Sequence, residues 1–113
     1  MKQEDKELLL KDICARLPYE PKARKDEMET SINLTTLDSF YYGDEIILPY
    51  LRLISSVTKK EKKEYDKLRM SFYKNAKDAS LVLIDWLNAH HFDYRGLIEK
   101  GLALEAPEGM YNI

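Results

Sequence analysis

The stretch AKDASLVLIDWLNAHH, residues 76–91, carries the apolar pattern on which the fold prediction depends. Helical spacing places most of its apolar side chains on one broad face, namely Ala79, Val82, Leu83, Trp86 and Leu87. Leu81 and Ile84 lie toward the opposite side of the same helix. Because a helix that is apolar on nearly two sides is usually buried between neighbours, we expect this one to be the spine of the core. The sheet would then cover one side and other helices the second.

Two further helices are predicted, one on either side of this stretch. The sequence Thr58-Lys59-Lys60-Glu61 is a capping box, and it predicts a helix over residues 58–74. An apolar stripe on that helix consists of Tyr65, Leu68 and Phe72. Asp93 is a suitable N-cap for a helix over residues 94–100, which Gly101 would end.

The N-terminal segment is predicted to be a helix over residues 3–17. Its apolar face consists of Leu10, Ile13, Cys14 and Leu17, at the spacing i, i+3, i+4 and i+7. Pro18 and Pro21 end the helix because proline lacks the amide donor. On this face Cys14 is expected to be a small core residue, because free cysteine is commonly buried and unreactive. A nucleophile paired with a histidine is the alternative.

Residues 22–48 are predicted to form a small antiparallel sheet of about three strands. Residues 31–37 alternate apolar and polar side chains, and residues 45–48 are a short apolar run. Tyr41 to Glu45 supplies turn chemistry between these two strands. The charged residues 22–26 would suit an exposed edge strand. A sheet of this size needs helices on one face, so the predicted fold class is a single α+β domain.

Composition excludes several functional classes. The 113 residues are 44% hydrophobic and 34% charged with a net charge of −2, which is typical of one globular domain and not of a polycation. No apolar run approaches 18 residues, and the first residues are too polar for a secretory signal, so we expect neither a membrane span nor export. One cysteine cannot form an internal disulfide, so nothing in the sequence calls for an oxidising compartment.

His90 and His91, followed by Asp93, are the first candidates for metal or catalytic chemistry. Adjacent helical residues point about 100° apart, so these two imidazoles are poorly placed to share one ion. We expect packing or capping at the helix end instead, and an enzyme site near His90 and His91 stays the less favoured alternative. Phosphate-binding glycine loops and hydrolase elbows are absent from the sequence. We therefore assign no catalytic residue, no cofactor and no metal ligand.

Basic residues concentrate between Lys59 and Lys77. This segment contains eight basic and three acidic side chains, which gives a local charge of +5. The four that cluster opposite the apolar stripe are Lys59, Lys63, Lys67 and Lys74. Such a face is typical of a solvated helix or of a nucleic-acid contact on which Tyr65 or Tyr73 would stack with bases. The overall acidic charge of the chain favours the solvated helix.

Eight tyrosines are many for this length, and tyrosine is enriched where one side of a residue is dry and the other wet. The run Phe40-Tyr41-Tyr42 is a candidate partner surface. A lid over the core explains the same run equally well.

Several segments of the chain resemble a group of small proteins of unassigned role. They are Cys14-Ala15-Arg16-Leu17-Pro18-Tyr19, residues 49–58 and residues 79–109, of which residues 85–98 (DWLNAHHFDYRGLI) are the most specific. That group is encoded in gut Bacteroidetes genomes, often in phage-like or mobile-element regions, and its pattern has a glycine where this chain has Glu20. The resemblance implies a cytoplasmic bacterial or phage protein. Together with the residues, it favours a non-enzymatic interaction or accessory protein whose partner is a protein.

Overall fold

The computed structural model describes residues 2–43, 46–71 and 76–111, and leaves out the side chains of residues 71 and 76–79. It shows an α+β domain in which four helices accompany one four-stranded mixed sheet. The α+β class is therefore confirmed. The sheet has one strand more than expected, and that strand runs parallel to its neighbour.

Helix α1 spans Gln3–Arg16 and continues into a 3₁₀ turn, Leu17–Tyr19, that contains Pro18. The helix agrees with the prediction, but its buried face is different. The buried residues share the spacing i, i+3, i+4 and i+7 one position earlier than expected: Leu9, Asp12, Ile13 and Arg16. Cys14 is exposed, so its assignment to the core is wrong. The Asp12–Arg16 ion pair explains the shift, because it neutralises two charges on the inward face.

Strands β1 (Lys22–Lys25) and β2 (Met28–Ser31) form an antiparallel hairpin in which Lys25 opposes Met28. The two turn residues, Asp26 and Glu27, have φ values of 50° and 67°. A two-residue hairpin turn with both residues left-handed matches the right-handed twist of the strands, although glycine and asparagine are the usual choices there.

The strand predicted over residues 31–37 is wrong. Ser31 ends β2, and residues Leu34–Tyr42 form helix α2. Asn33 caps this helix, because its side-chain oxygen accepts hydrogen bonds from the Thr36 amide at 3.0 Å and the Thr36 hydroxyl at 3.1 Å. Seven residues are too few for apolar spacing to distinguish a half-buried strand from a helix, and here a helix forms that buries Leu37 and Phe40. The turn predicted over residues 41–45 begins inside this helix, and residues 44 and 45 lie outside the described residues.

Strand β3 spans Ile47–Leu51, and it extends past Leu48, where the predicted sheet ends. The sheet order is β2-β1-β3-β4, where β4 is the short strand Leu104–Glu105 that pairs in parallel with β3. Strand β1 therefore lies inside the sheet, and the prediction of an edge strand there is wrong.

The main hydrophobic core lies between α1, the sheet, α2 and the C-terminal loop. Its most buried side chains, each at most 2% exposed, include Leu9, Ile13, Phe40, Ile47 and Leu97. The next two helices are α3 (Lys59–Ser71) and α4 (Ala76–Ala89). None of their described side chains belongs to this cluster.

Helices α3 and α4 pack against one another, and α4 also contacts α1 and the 3₁₀ turn. Trp86 is buried as predicted. However, Leu81 is 64% exposed and Ile84 is 44% exposed, so α4 is not sandwiched between a sheet and helices. The reason is that the main core forms away from α4, and the side of α4 that carries Leu81 and Ile84 faces water. Residues 72–75, including Phe72, lie outside the described residues.

The helix predicted over residues 94–100 is replaced by turns. Asp93 still caps this segment, because its carboxylate accepts hydrogen bonds from the Leu97 amide at 2.9 Å and the Ile98 amide at 3.0 Å. Gly96 has φ +70°, which a right-handed helix excludes. Gly101, with φ +75°, ends the turn in the left-handed conformation that glycine favours.

Candidate functional site

The predicted partner surface divides between core and solvent. Phe40 is 2% exposed and belongs to the hydrophobic core, so its place on a partner surface is wrong. Tyr41 and Tyr42 are 48% and 82% exposed. Their rings meet edge to face with centroids 4.8 Å apart. The C-terminal end of α2 thus presents two packed tyrosines to solvent.

Leu34 extends this exposed surface along α2. It lies seven residues before Tyr41, so the two side chains share one face of the helix, and Leu34 is largely exposed. On the inner side, the Lys6 ammonium lies 5.5 Å from the Phe40 ring centroid and 5.9 Å from that of Tyr41. We call Leu34, Tyr41 and Tyr42 the α2 surface.

The predicted nucleic-acid residues lie on α3, where Lys59, Lys63 and Lys67 are exposed. Lys74 lies outside the described residues. The three acidic residues of α3 are all engaged: Glu61 with Arg52, Glu64 with Trp86, and Asp66 with Arg69. Tyr65 is half-buried with its ring 5.3 Å from that of Trp86, so it is not available to stack on a base. Tyr73 lies outside the described residues.

Glu61 is the centre of a buried polar cluster at the start of α3. The capping box is confirmed, because the Thr58 amide donates to Glu61 Oε1 at 2.9 Å and the Glu61 amide donates to Thr58 Oγ1 at 3.1 Å. Arg52 Nη1 and Nη2 donate to the two oxygens of the same carboxylate at 2.7 and 2.8 Å. These hydrogen bonds from Arg52 lower the pKa of Glu61 to about 2, although burial opposes the shift.

His90 joins this cluster at the end of α4. Its Nδ1 lies 3.1 Å from Glu61 Oε2, and its ring stacks near Trp86 with centroids 4.2 Å apart. The Arg52 guanidinium lies 4.2 Å from the centroid of the Phe92 ring. The cluster therefore ties three parts of the chain together, and His90 serves in it as a packing and hydrogen-bonding residue.

A second buried cluster surrounds Asp12. Arg16 Nε donates to Asp12 Oδ2 at 2.9 Å, and Arg95 Nη1 donates to Asp12 Oδ1 at the same distance. Arg16 Nη2 also donates to the Phe92 carbonyl oxygen at 2.6 Å. Both Asp12 and Arg16 are fully buried, so each depends on the other for its charge to be tolerated.

His91 lies between the two clusters in an unusual backbone conformation, with φ 61°. Its ring stacks on Tyr111 with centroids 3.6 Å apart. Within the described residues, the buried Nδ1 of His91 has no hydrogen-bond partner. Burial, with the positive charges of Arg16 and Arg52 adding to it, lowers the pKa of His91 to about 4, so the ring is neutral at pH 7.

Tyr111 anchors the C-terminal segment across the sheet. Its hydroxyl donates to the Tyr50 carbonyl oxygen at 2.8 Å and accepts from the Lys22 amide at 3.0 Å. Burial raises the pKa of Tyr111 to about 12. A cleft of about 580 Å³ lies beside this anchor, and its lining includes Glu105, Glu108, Ser56 and Thr58.

Arg52 also lines the cleft, but the donors at its guanidinium tip are already engaged. They bond to Glu61 and to the main-chain oxygens of His90 and Ser56. The Arg52 guanidinium therefore holds neighbouring parts of the fold together.

Sequence reasoning missed both buried clusters. Asp12 and Arg16 lie four residues apart, so their spacing carried a signal for an ion pair. The capping box pointed to Glu61, whereas nothing in the local sequence links Arg52 to it. Among the described residues, no three histidine, cysteine, aspartate or glutamate side chains converge as metal ligands.

The chain matches no protein-family model, no curated protein and no solved structure. Within the described ranges, no helix combines the length and apolar character needed to cross a bilayer.

Proposed function

We propose that this protein is a non-enzymatic binding protein that recognises another protein through the α2 surface. The observation that carries the proposal is the exposure of Tyr42, 82%, directly beside Tyr41 on a helix whose next aromatic residue, Phe40, is in the core. Large aromatic side chains on the surface of a helix are typical of interfaces, because they bury much area at a low entropy cost.

The α2 surface is held in place before any partner binds. Asn33 caps the start of α2, and Leu37 and Phe40 fix its inner face in the core. A binding surface that is already ordered avoids part of the entropy lost on association. The tyrosines are therefore presented by a helix that is capped at its start and packed in the core on its inner face.

The chemistry of the α2 surface favours a protein partner over a nucleic acid. Between Leu34 and Tyr42 the helix has one charged residue, Asp38, which is acidic and exposed. An acidic side chain beside two tyrosines and a leucine disfavours phosphate and suits the apolar centre of a protein interface.

The resemblance to proteins encoded in phage-like and mobile-element regions supports a role as an accessory protein of such an element. A cytoplasmic location belongs to the same proposal. It is supported by the free thiol of Cys14, which suits a reducing compartment.

Site-specific photo-crosslinking tests the proposal in a bacterial host that carries the encoding element. A photoreactive phenylalanine analogue at position 42 is compared with the same analogue at position 99, since Glu99 is also exposed but lies on the C-terminal turn. We expect one discrete crosslinked protein from position 42 and none from position 99. If this crosslink from position 42 disappeared when Leu34→Ser was introduced as well, the partner would be located on the α2 surface.

Equal crosslinking from positions 42 and 99, or none from position 42, would contradict the proposal. Phe40→Ala is unsuitable as the test because it would destabilise the core. Tyr42→Ser leaves the core residues in place, so it also reports on affinity once the partner is identified.

A further inference from the structure

The outward side of α3 is a strongly basic surface. Six basic side chains on this helix are exposed: Lys59, Lys60, Lys62, Lys63, Lys67 and Arg69. We call this set the α3 basic face. The helix has 13 residues and is therefore about 20 Å long.

Each acidic residue of α3 is engaged with another side chain. Glu61 is buried and neutralised by Arg52, and Glu64 accepts a hydrogen bond from the Trp86 indole at 3.2 Å. Asp66 lies 3.6 Å from Arg69 and offsets the positive charge of that residue only. Among the described residues, no ion pair engages Lys59, Lys60, Lys62 or Lys63.

We propose that the α3 basic face binds the phosphate backbone of nucleic acid. Lys59 and Lys63 are four residues apart, so they follow one line along the helix at a rise of about 6 Å. Ammonium groups arranged in this way neutralise successive phosphates and release their counterions. The site is separate from the α2 surface and does not depend on it.

The composition of the α3 basic face argues against an acidic protein as its partner. Lysine is depleted in protein interfaces, whose centres are apolar and often aromatic. On α3 the apolar residues Tyr65 and Leu68 are half-buried, and Tyr65 packs on Trp86. Met70 is exposed, but it is a single apolar side chain on a helix with six exposed basic ones. Protein–DNA interfaces are more polar and much more positively charged than protein–protein interfaces.

The same arrangement determines what kind of nucleic-acid contact is possible. Because Tyr65 is turned toward Trp86, α3 offers no described aromatic ring for base stacking. Lysines that contact phosphates position a protein but do not read base edges. Binding through this face is therefore independent of sequence.

Fluorescence anisotropy with labelled 20-base-pair DNA duplexes of two unrelated sequences tests the proposal. We expect both duplexes to bind equally at 50 mM KCl. With four phosphate contacts, affinity should fall on the order of 10²-fold between 50 and 200 mM KCl. The double variant Lys59→Gln/Lys63→Gln should lower the slope of log affinity against log salt by about 2.

The matched control is Lys11→Gln/Lys100→Gln, which removes two exposed lysines from α1 and the C-terminal turn. It should leave the salt slope unchanged, as should Tyr42→Ser on the α2 surface. Glutamine keeps the helix propensity of lysine, and circular dichroism confirms that each variant is folded.

Three results would overturn the proposal. The first is no binding of either duplex at 50 mM KCl. The second is an equal loss of affinity in the control variant, which would indicate a diffuse charge effect. The third is displacement of the DNA by polyglutamate at the same charge concentration, which would identify an acidic protein as the better occupant.

Discussion

Arg52 and Glu61 form a two-bond ion pair, with Nη1 donating to Oε2 at 2.7 Å and Nη2 to Oε1 at 2.8 Å. The main chain of Arg52 is engaged as well, because its amide donates to the His91 carbonyl and its carbonyl accepts from the Asp93 amide. One residue thereby joins the end of the sheet, the start of α3 and the end of α4. Helices α3 and α4, which the main core does not include, are held to the rest of the domain partly through this residue.

Removal of the Glu61 carboxylate should destabilise the protein strongly. Glu61→Ala leaves a largely buried Arg52 guanidinium without its counter-charge and also removes half of the capping box. Breaking a buried pair in this way costs about 3–5 kcal/mol, which urea denaturation would measure. Asp66→Ala, which removes an exposed ion pair from the same helix, should cost under about 1 kcal/mol. Equal effects of the two variants would show that the Arg52–Glu61 pair stabilises the protein no more than an exposed ion pair does.

Acidification should reduce stability in two stages. His91 has its pKa lowered from the ordinary 6.5 to about 4, so between these values the unfolded chain takes up a proton that the folded chain excludes. Stability therefore decreases as the pH falls through this range, by roughly 3 kcal/mol. Glu61, whose pKa is lowered from 4.5 to about 2, adds a second loss of the same sign below pH 4.5.

The substitution His91→Asn separates the two stages. Asparagine tolerates the left-handed backbone at position 91 but does not titrate, so the urea midpoint should no longer change between pH 6.5 and 4.5. The loss at lower pH should persist. If the urea midpoint of this variant still fell between pH 6.5 and 4.5 as steeply as in the parent protein, His91 would be excluded as the origin of that loss.

Trp86 should be the residue of α4 most sensitive to truncation. Its ring packs against Tyr65, His90 and Phe92. Trp86→Ala should therefore cost about 3–5 kcal/mol of unfolding free energy. Ile84→Ala, on the exposed side of the same helix, should change stability by no more than about 0.5 kcal/mol. A melting temperature unaffected by Trp86→Ala would show that this packing contributes little.

The β1–β2 turn offers a stabilising substitution. Glu27 has φ 67°, a conformation that costs a residue with a Cβ about 1–2 kcal/mol. Glu27→Gly relieves this strain, and we expect a net gain of about 0.5–1 kcal/mol after the added flexibility of the unfolded chain is counted. Glu29→Gly, in strand β2 itself, should be destabilising instead. Thermal unfolding of both variants would test the contrast, and a lower melting temperature for Glu27→Gly would contradict it.

Glu20 is a related case, because it ends the 3₁₀ turn with φ 52°. A glycine would adopt this left-handed backbone with less strain than a residue with a Cβ.

The sequence by itself determined the helices α1, α3 and α4 to within a few residues and the burial of Trp86. Capping residues and apolar periodicity act over about four residues, so helices can be predicted from them without knowledge of the fold. The same holds for the capping box of α3, whose two partners are three residues apart.

Only the tertiary structure decided which faces are buried and which distant residues meet. The pattern at residues 31–37 fits a strand or a helix. Helix α2 forms there because Leu37 and Phe40 pack into the hydrophobic core. Cys14 is exposed because α1 turns its ion pair, Asp12 and Arg16, toward the interior. Arg52 meets Glu61, and Arg16 meets the Phe92 carbonyl, through contacts between separate elements. Such contacts depend on how whole elements pack, and local spacing does not encode that.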